Sequence, residues 1–212
     1  MNPVVARDVS VFVETFNCGE KWLTDVDLNH YVPKGKDIYV FSLQECMKAN
    51  ASVSAIRRYL ASDENDYQIE SQSIGGTVKL LGYHGTITVI VAVKKSIVNR
   101  FSPSSPYRVC EGFGFRSFRF GNKGSVAIQL RLANQTLLVI ASHFASDLKV
   151  VSWILRHFQG KNYLAKRLAN AQNTLLELSP EWLGLNRWDA QYMATHTVPV
   201  AMIIHSRSSR AT

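Results

Sequence analysis

Three apolar segments that read as β-strands each end on a polar side chain that could do chemistry. The first covers residues 9–16 and is followed by Asn17, the second ends at Glu45, and the third ends at His143. Strand ends of a layered domain meet along one rim, where a rigid scaffold often holds catalytic residues. An amide, a carboxylate and an imidazole on one rim could handle a hard cation and a phosphate. Mg²⁺ takes few protein oxygens and keeps water and substrate phosphate as its other ligands.

A fourth candidate is the glycine-flanked segment "FGNKGSVAI", residues 120–128, in which two glycines enclose Asn122 and Lys123. Glycines let the backbone approach an anion closely. The lysine supplies a positive charge and the asparagine amide supplies a donor. The segment is not a Walker loop, because it leads into a strand and lacks the G-x-x-x-x-G-K-[ST] spacing. Its spacing is equally typical of an ordinary turn.

The elements that must position these residues are mostly strands. Apolar patterns predict strands at 9–16 and 37–44, two strands around a turn at 82–85, and a hairpin over 125–144 with its turn at Asn134–Gln135. Helical spacing predicts a helix at 51–62 and a helical segment at about 148–178, broken near Gly160. This order predicts a layered α/β domain in which one sheet packs on another.

The composition indicates one folded domain with a preference for anionic partners. The 212 residues suit a single hydrophobic core, and 46% of them are hydrophobic. The net charge of +8 and the pI of 9.5 favour phosphate esters, nucleic acid or an acidic membrane face. The basic residues are spread along the chain, so most of them are expected only to solvate the surface.

The lack of a secretory signal pattern and the spacing of the cysteines together predict a cytoplasmic protein. The N-terminal residues do not have the pattern of a secretory signal, and no apolar run approaches the ~18 residues of a membrane span. The three cysteines, Cys18, Cys46 and Cys110, lie far apart in the sequence with no CxxC spacing. This spacing argues against a disulfide scaffold and against a zinc site.

Four blocks in sequence order resemble the inositol polyphosphate 5-phosphatases of the endonuclease/exonuclease/phosphatase superfamily. "VFVETFNCGE" resembles V-F-V-x-T-W-N-x-G, and "DIYVFSLQE" resembles D-I-Y-V-x-x-L-Q-E. "FGNKGSVAIQLRL" resembles M-G-N-K-G-x-V-A-I, and "LLVIASHFAS" resembles a strand that ends in N-S-H-L-A-A. The resemblance covers residues 8–150. Q-E at a strand end recurs across the superfamily, whereas the G-N-K-G block points to the phosphoinositide branch.

The resemblance implies a fold, a reaction and partners. The fold is an α/β/β/α sandwich of four layers (DNase I-like) with a shortened second half, forming one domain over residues 1–204 before a basic tail at 205–212. The reaction is Mg²⁺-dependent hydrolysis of the 5-phosphate of phosphoinositides or inositol polyphosphates. The partners are inositol phosphates or phosphoinositide headgroups, with peripheral contact to acidic lipid on the cytosolic face of membranes. Nucleic acid is not expected as the main partner.

The resemblance also implies a role for each matching side chain. Glu45 is the Mg²⁺ ligand, which explains why a buried strand ends on a carboxylate. Asn17 supports the metal and the attacking water. His143 contacts the scissile phosphate, with Ser142 beside it. The substrate phosphate is held by Asn122 and Lys123.

The second half departs from the family pattern. "EWLGLNRW", residues 181–188, resembles G-D-x-N-Y-R with its aspartate deleted. "THTVPVAMII", residues 195–204, resembles S-D-H-x-P-V, with His196 at the histidine and Thr195 where the aspartate should be. The block P-x-W-C-D-R-I-L is absent. Both remnants are short enough to be chance similarity. Because the missing aspartates position and activate the nucleophile, hydrolysis is expected to be impaired.

Several interpretations stay open at this point. The chain is a truncated or mis-assembled product of a phosphatase gene, a pseudoenzyme, or an active but divergent member, the last being ranked lowest. The leading function is the impaired 5-phosphatase. The alternative is a catalytically inactive module that binds phosphoinositides. A Mg²⁺-dependent nuclease of the same superfamily ranks third.

Overall fold

The fold consists of two β-sheets stacked face to face, with two helices on the outer face of the first sheet. A computed structural model describes the chain over residues 8–61, 66–76, 85–97, 102–113, 120–132, 135–144, 189–190 and 200–207. Side chains are described within residues 8–61, 66–76, 85–97, 123–130 and 137–144. All statements below concern these parts of the chain.

The first sheet has four strands in the order β1-β2-β4-β3. The strands are β1 (Val11–Asn17), β2 (Ile38–Cys46), β3 (Tyr67–Gly76) and β4 (Gly85–Lys94). β1 pairs with β2 in parallel, whereas β4 is antiparallel to both β2 and β3. The parallel register places Asn17 opposite Gln44, so the polar ends of β1 and β2 lie side by side.

Two helices cover one face of this sheet. Helix α1 (Asp25–Tyr31) begins at a capping box in which the side chains of Thr24 and Asp27 each accept a bond from the other residue's backbone N–H. Helix α2 (Ala49–Ala61) has an apolar stripe at helical spacing. Leu28 of α1 and the apolar stripe of α2 are buried against the face of β2 that carries Tyr39 and Phe41.

The second sheet has five strands in the order β5-β6-β7-β9-β8, all antiparallel. Its strands are β5 (Ser102–Phe113), β6 (Phe120–Leu132), β7 (Gln135–His143), β8 (Asp189–Ala190) and β9 (Val200–Arg207). The β6–β7 pair brings Gly124 opposite His143. The glycine-flanked block and the end of β7 are therefore neighbours.

A continuous apolar layer fills the space between the two sheets. Alternate residues of each strand face this layer, because side chains of a strand point to its two sides in turn. The first sheet contributes the fully buried Val40 and Val89, and the second contributes Val126 and Val139. This layer fixes the separation of the sheets and hence of any groups that meet across their rim.

A buried ion pair closes the end of the first sheet remote from Glu45. Asp37 accepts hydrogen bonds from the backbone N of Ser10 at 2.9 Å and from its Oγ at 2.8 Å, and its Oδ1 lies 3.2 Å from Lys94 Nζ. Burial would raise the pKa of Asp37, but the bonds from Ser10 and Lys94 outweigh it, so the pKa is lowered. The pair joins the start of β2 to β1 and to the end of β4.

The sequence-based architecture is confirmed in its main features. The structure contains the stacked sheets, the predicted strands at β1, β2 and β4, the helix α2 and the hairpin β6–β7. Two details differ. The G-N-K-G block lies inside β6, where its residues pair with β5 and β7 as part of the sheet. Gln135 belongs to β7 rather than to the hairpin turn.

Pattern reading missed helix α1, the strands β3, β5 and β8, and a short 3-10 helix at Lys95–Ile97. Helix α1 is only seven residues long, β3 is rich in polar residues, β5 is interrupted by prolines, and β8 has only two residues. The predicted strand before Gly82, the predicted helix at 148–178 and the fourth, helical layer lie outside the described residues. β9 continues through Arg207, into the segment expected to be a tail. No helix in the described part of the chain is long and apolar enough to cross a membrane.

Candidate active site

Glu45, the last residue but one of the buried strand β2, has a backbone conformation that is uncommon for a residue with a side chain. Its φ is +51°, and the pairing of β2 with β4 is irregular between Leu43 and Cys46. In a regular strand, Glu45 would share the helix-facing side of Leu43. A bulge re-aims side chains. Glu45 Oε1 lies 3.7 Å from Nε2 of His143, a residue of the other sheet.

The backbone around Glu45 is held on several sides. A Cβ at Gly85, whose φ is +100°, would lie 2.5 Å from the carbonyl carbon of Glu45 and 2.7 Å from the nitrogen of Cys46. The glycine thus permits β4 to approach the bulge. Glu20 N donates to the carbonyl oxygen of Glu45 at 3.1 Å, and Thr86 Oγ1 donates to that of Cys46 at 3.0 Å. The scaffold therefore determines where the carboxylate sits.

The second sheet contributes an imidazole and an ammonium group to the same rim. His143, at the end of β7, is only 5% exposed. Lys123 Nζ lies 2.7 Å from His143 Nε2 and 3.3 Å from Nδ1. At 2.7 Å the ammonium group donates to Nε2 when that nitrogen carries no proton. Glu45, His143 and Lys123 thus form a cluster that spans the two sheets, with a carboxylate from the first sheet and an imidazole and an ammonium group from the second.

Burial and a nearby carboxylate act in opposite directions on the charge of Lys123. Burial disfavours the charged form and lowers the pKa of Lys123, while the negative charge of Glu45 acts in the opposite direction. An anionic oxygen placed beside Nζ would favour the charged ammonium group in the same way as Glu45 does. The lysine is therefore suited to bind a phosphate as a point charge.

Buried hydroxyl and amide groups support the strands that carry the cluster. Ser125 and Ser142 share a hydrogen bond of 2.8 Å between β6 and β7. Ser142 precedes His143 in the strand, so its side chain faces the opposite side of the sheet from the cluster. Gln44 Nε2 donates to Ser42 Oγ at 2.8 Å, and Gln44 Oε1 is a buried acceptor without a hydrogen-bond partner among the described residues.

Asn17 shapes the turn that follows β1. Its Oδ1 accepts a hydrogen bond from the backbone N of Gly19 at 2.9 Å, as expected of an asparagine that stabilises a turn. Cys18 N then donates to the carbonyl oxygen of Gln44 at 2.8 Å. The turn is thereby attached to the end of β2, immediately before Glu45.

Comparison with known proteins identifies the family. Residues 14–160, more than half of the chain, match the sequence profile of endonuclease/exonuclease/phosphatase family 2. The chain belongs to this family. Among solved structures it is similar to the catalytic domain of human Nocturnin with bound sulfate anion, at 12% sequence identity and a TM-score of 0.39, over 85% of this chain and 72% of that chain. No curated protein matches the sequence.

Family 2 membership accounts for the stacked-sheet fold. The superfamily has a DNase I-like α/β fold and includes Mg²⁺-dependent phosphoesterases as well as nucleases. Its enzymes commonly depend on a divalent metal. The family thus supports the hydrolase class that the sequence predicted, at the level of the superfamily.

The structure brings together three of the six residues predicted for the site. Glu45, Lys123 and His143 meet at the rim. Asn17 lies at the adjacent strand end, and the backbone of Asn122 lies in β6, while its side chain is outside the described set. His196 and Thr195 also lie outside it. The predicted roles of all these residues stay predictions.

Pattern reading missed the residues that hold the site in shape. Gln44 was read only as part of the Q-E pair, and Gly85 only as part of a turn. A signal was available for Gly85: an isolated glycine at the start of a β-branched run often marks a close backbone approach. No sequence signal shows which backbone it approaches.

The side chains of the described region can be compared with what a metal ion requires. They form no group of three or more His, Cys, Asp and Glu residues that could hold an ion. A closed zinc cage is therefore not formed by these residues. Mg²⁺ is commonly bound through one or two carboxylates, with water and substrate completing the shell. Glu45, held rigidly and with 27% of its side chain exposed, fits that mode of binding.

Proposed function

We propose that the chain is a Mg²⁺-dependent phosphatase of low activity that removes the 5-phosphate of phosphoinositides or inositol polyphosphates. The observation that carries this proposal is the cluster of Glu45, His143 and Lys123 across the two sheets. It places a carboxylate for a cation beside two groups that can bind a phosphate. The G-N-K-G block in β6 favours an inositol phosphate over other phosphate esters, through its resemblance to the 5-phosphatases.

Each side chain has a defined task in this proposal. Glu45 holds Mg²⁺, which when bound neutralises negative charge on the phosphate. Lys123 binds a non-bridging phosphate oxygen through its ammonium group. His143 holds a proton at the ring nitrogen that faces the phosphate and donates a hydrogen bond there. Asn122 adds an amide donor beside Lys123, and Asn17 orients the attacking water from the neighbouring strand end.

The low activity follows from the second half of the sequence. The remnants at 181–188 and 195–204 lack the aspartates of G-D-x-N and S-D-H. His196 is the remaining candidate at the second remnant. Loss of groups that activate the nucleophile lowers the rate by several orders of magnitude, while groups that bind the phosphate still act.

Phosphate release tests the hydrolase directly. Purified protein is incubated with phosphatidylinositol 4,5-bisphosphate and with soluble inositol trisphosphate, with and without Mg²⁺. We expect slow, Mg²⁺-dependent release that Glu45→Ala abolishes. The matched control is Glu70→Ala, which removes an exposed carboxylate from β3 and should leave the rate unchanged. Equal rates for the wild type and Glu45→Ala would refute the assignment of Glu45.

The second candidate is a module that binds the headgroup without hydrolysing it. The net charge of +8 and the Lys123–His143 pair favour it, because both attract an anion without needing a base. Saturable binding to liposomes containing phosphatidylinositol 4,5-bisphosphate, with no turnover, is the expected result. Lys123→Gln should weaken binding more than Arg57→Gln, which removes the same charge from the exposed face of α2. The site would then act at the cytosolic face of acidic membranes.

A nuclease is the third candidate, supported by the charge and by the range of activities in the superfamily. Nicking of plasmid DNA by clean protein, lost in Glu45→Ala, would establish it. Affinity for DNA should then fall steeply with salt, because released counterions dominate such binding. Cleavage of DNA without any release from inositol phosphates would replace the leading proposal.

A further inference from the structure

Two free cysteines lie at the strand ends that form the site. Cys18 directly follows Asn17 after β1, and Cys46 directly follows Glu45 in β2. They are 28 positions apart in the sequence, yet both belong to the same buried cluster between the first sheet and its helices. Both are buried, with exposures of 5% and 0%. Neither thiol is used by the proposed hydrolysis.

The parallel pairing of β1 and β2 creates this contact. Asn17 is in register with Gln44, and the backbone N of Cys18 donates to the carbonyl oxygen of Gln44 at 2.8 Å. Cys18 therefore lies diagonally opposite Cys46. A strand spacing of about 4.8 Å and a rise of about 3.3 Å per residue put such a diagonal pair of Cα atoms about 5.8 Å apart. A disulfide accepts Cα separations of roughly 4.4–6.8 Å, so the strand register allows the bond to form.

We propose that Cys18 and Cys46 form a redox-sensitive pair, which hydrogen peroxide converts to a disulfide that displaces Glu45. One thiol, as its thiolate, attacks a peroxide oxygen, so that the O–O bond breaks, a sulfenic acid forms and water leaves after protonation. The other thiol attacks that sulfur, the S–S bond forms and a second water leaves. The two sulfurs are oxidised and the peroxide is reduced. A dithiol such as dithiothreitol reverses the reaction by exchange.

The oxidant can approach through the turn after β1. Gly19, Lys21 and Trp22 of this turn, which directly follows the buried Cys18, are exposed. The turn is fastened to the strand end by two backbone bonds, from Glu20 N to Glu45 O at 3.1 Å and from Met47 N to Lys21 O at 2.8 Å. A brief opening of these two bonds would admit a molecule as small as peroxide.

Closing the disulfide must move the strand end. Both cysteines are free in the structure, so their sulfurs must approach until they are about 2.05 Å apart. Cys46 cannot move towards Cys18 without moving Glu45, because Glu45 already has a φ of +51° and its backbone is packed against Gly85. The shift is therefore transmitted to the carboxylate of Glu45. That this displaces a metal ligand rests on the proposed function, whereas the disulfide itself does not.

Peptide mapping tests the bond in the full-length protein. Trypsin places the cysteines in separate peptides, residues 8–21 with Cys18, 37–48 with Cys46 and 109–116 with Cys110. After peroxide treatment without reductant, we expect the first two peptides to be linked, and to separate with dithiothreitol. Cys110→Ser is the matched control and should show the same link. Links through Cys110, or only sulfinic products at unlinked cysteines, would overturn the proposal.

Two further readouts test the displacement of Glu45. Hydrogen exchange should show faster exchange of the Glu20 and Met47 amides in the oxidised protein, because their bonds to the strand end and turn are lost. A linked protein with unchanged exchange would refute the displacement. Because Cys18→Ser removes a buried group and could unfold the chain, these two wild-type measurements decide the proposal without it.

The affinity for Mg²⁺, measured by calorimetry in both redox states, relates the pair to the site. We expect it to fall by about tenfold on oxidation and to recover with dithiothreitol, in the wild type and in Cys110→Ser alike. Unchanged affinity in a linked protein would refute control of the metal site. Absence of Mg²⁺ binding in both states would instead refute the proposed function, while peptide mapping and exchange still decide the redox pair.

Discussion

The substitution Gly85→Ala tests the physical account of the Glu45 conformation. The new Cβ would lie 2.5 Å from the carbonyl carbon and 2.8 Å from the carbonyl oxygen of Glu45, and 2.7 Å from the nitrogen of Cys46. Real Cβ atoms do not approach backbone so closely, and no flexible side chain can move aside. Either β4 or the bulge must shift. The substitution also places alanine at a φ of +100°, which L-residues rarely adopt.

The two costs can be separated with a matched control. Gly35 has a φ of +80° and nothing within 4 Å of a built Cβ, so Gly35→Ala carries the backbone cost alone. That cost is about 1–2 kcal/mol. Overpacking adds about 1–3 kcal/mol at Gly85. We therefore expect Gly85→Ala to lower the free energy of unfolding by about 2–5 kcal/mol, and Gly35→Ala by about 1–2 kcal/mol.

Urea denaturation followed by circular dichroism measures both values from the transition midpoints. A functional readout follows on the same preparations. Gly85→Ala should also weaken Mg²⁺ binding, because it moves the backbone of the ligand, whereas Gly35→Ala should not. Equal losses of stability for the two variants would show that β4 does not pack closely against the backbone of Glu45. The account of the bulge as a fixed holder of the carboxylate would then be wrong.

Two other substitutions test the buried polar groups. Asp37→Asn leaves Lys94, which is 8% exposed, without its charge partner and should cost about 3 kcal/mol at pH 7. Because the folded-state pKa of Asp37 is lowered, its contribution is present above the unfolded value of about 3.9 and is lost as the pH falls through the folded value. The stability gap between wild type and Asp37→Asn should thus narrow below about pH 4 in acid denaturation. A constant gap would contradict the lowered pKa. Ser142→Ala should cost about 1–2 kcal/mol, because it removes the buried partner of Ser125. The double variant Ser125→Ala/Ser142→Ala should cost less than the sum of the single variants, and additive losses in urea denaturation would show that the two hydroxyls do not interact.

Sequence patterns predicted the strands that carry the site because each has a strong local signal. β2 is apolar nearly throughout and ends in Q-E, and β7 pairs with β6 across a short connection. The chemistry of Glu45, Lys123 and His143 could be inferred from residue type and from the resemblance to a family. A sheet buried on both faces reads as continuous apolar sequence, so the layered fold was also predictable.

The remaining features arise from contacts that local sequence does not encode. The bulge at Glu45 depends on the approach of Gly85, which is forty positions away. The proximity of Cys18 and Cys46 depends on the parallel register of β1 and β2. The wide spacing of the cysteines in the sequence does not indicate that two of them share one buried cluster. Their proximity is a property of the folded sheet alone.

The division of the site between two sheets bears on how binding and turnover relate. Glu45 comes from the first sheet, and Lys123 and His143 come from the second. The apolar layer between the sheets therefore sets the 3.7 Å distance between Glu45 Oε1 and His143 Nε2. In the proposed function these groups bind a cation and a phosphate. Attack on the phosphorus needs a further group that activates water, and by the resemblance to the 5-phosphatases one aspartate with that task is deleted in this sequence and the other is replaced by Thr195. Affinity for an inositol phosphate should therefore persist where the rate constant falls. A preparation that binds the headgroup tightly and releases phosphate slowly would have the properties that this arrangement of residues predicts.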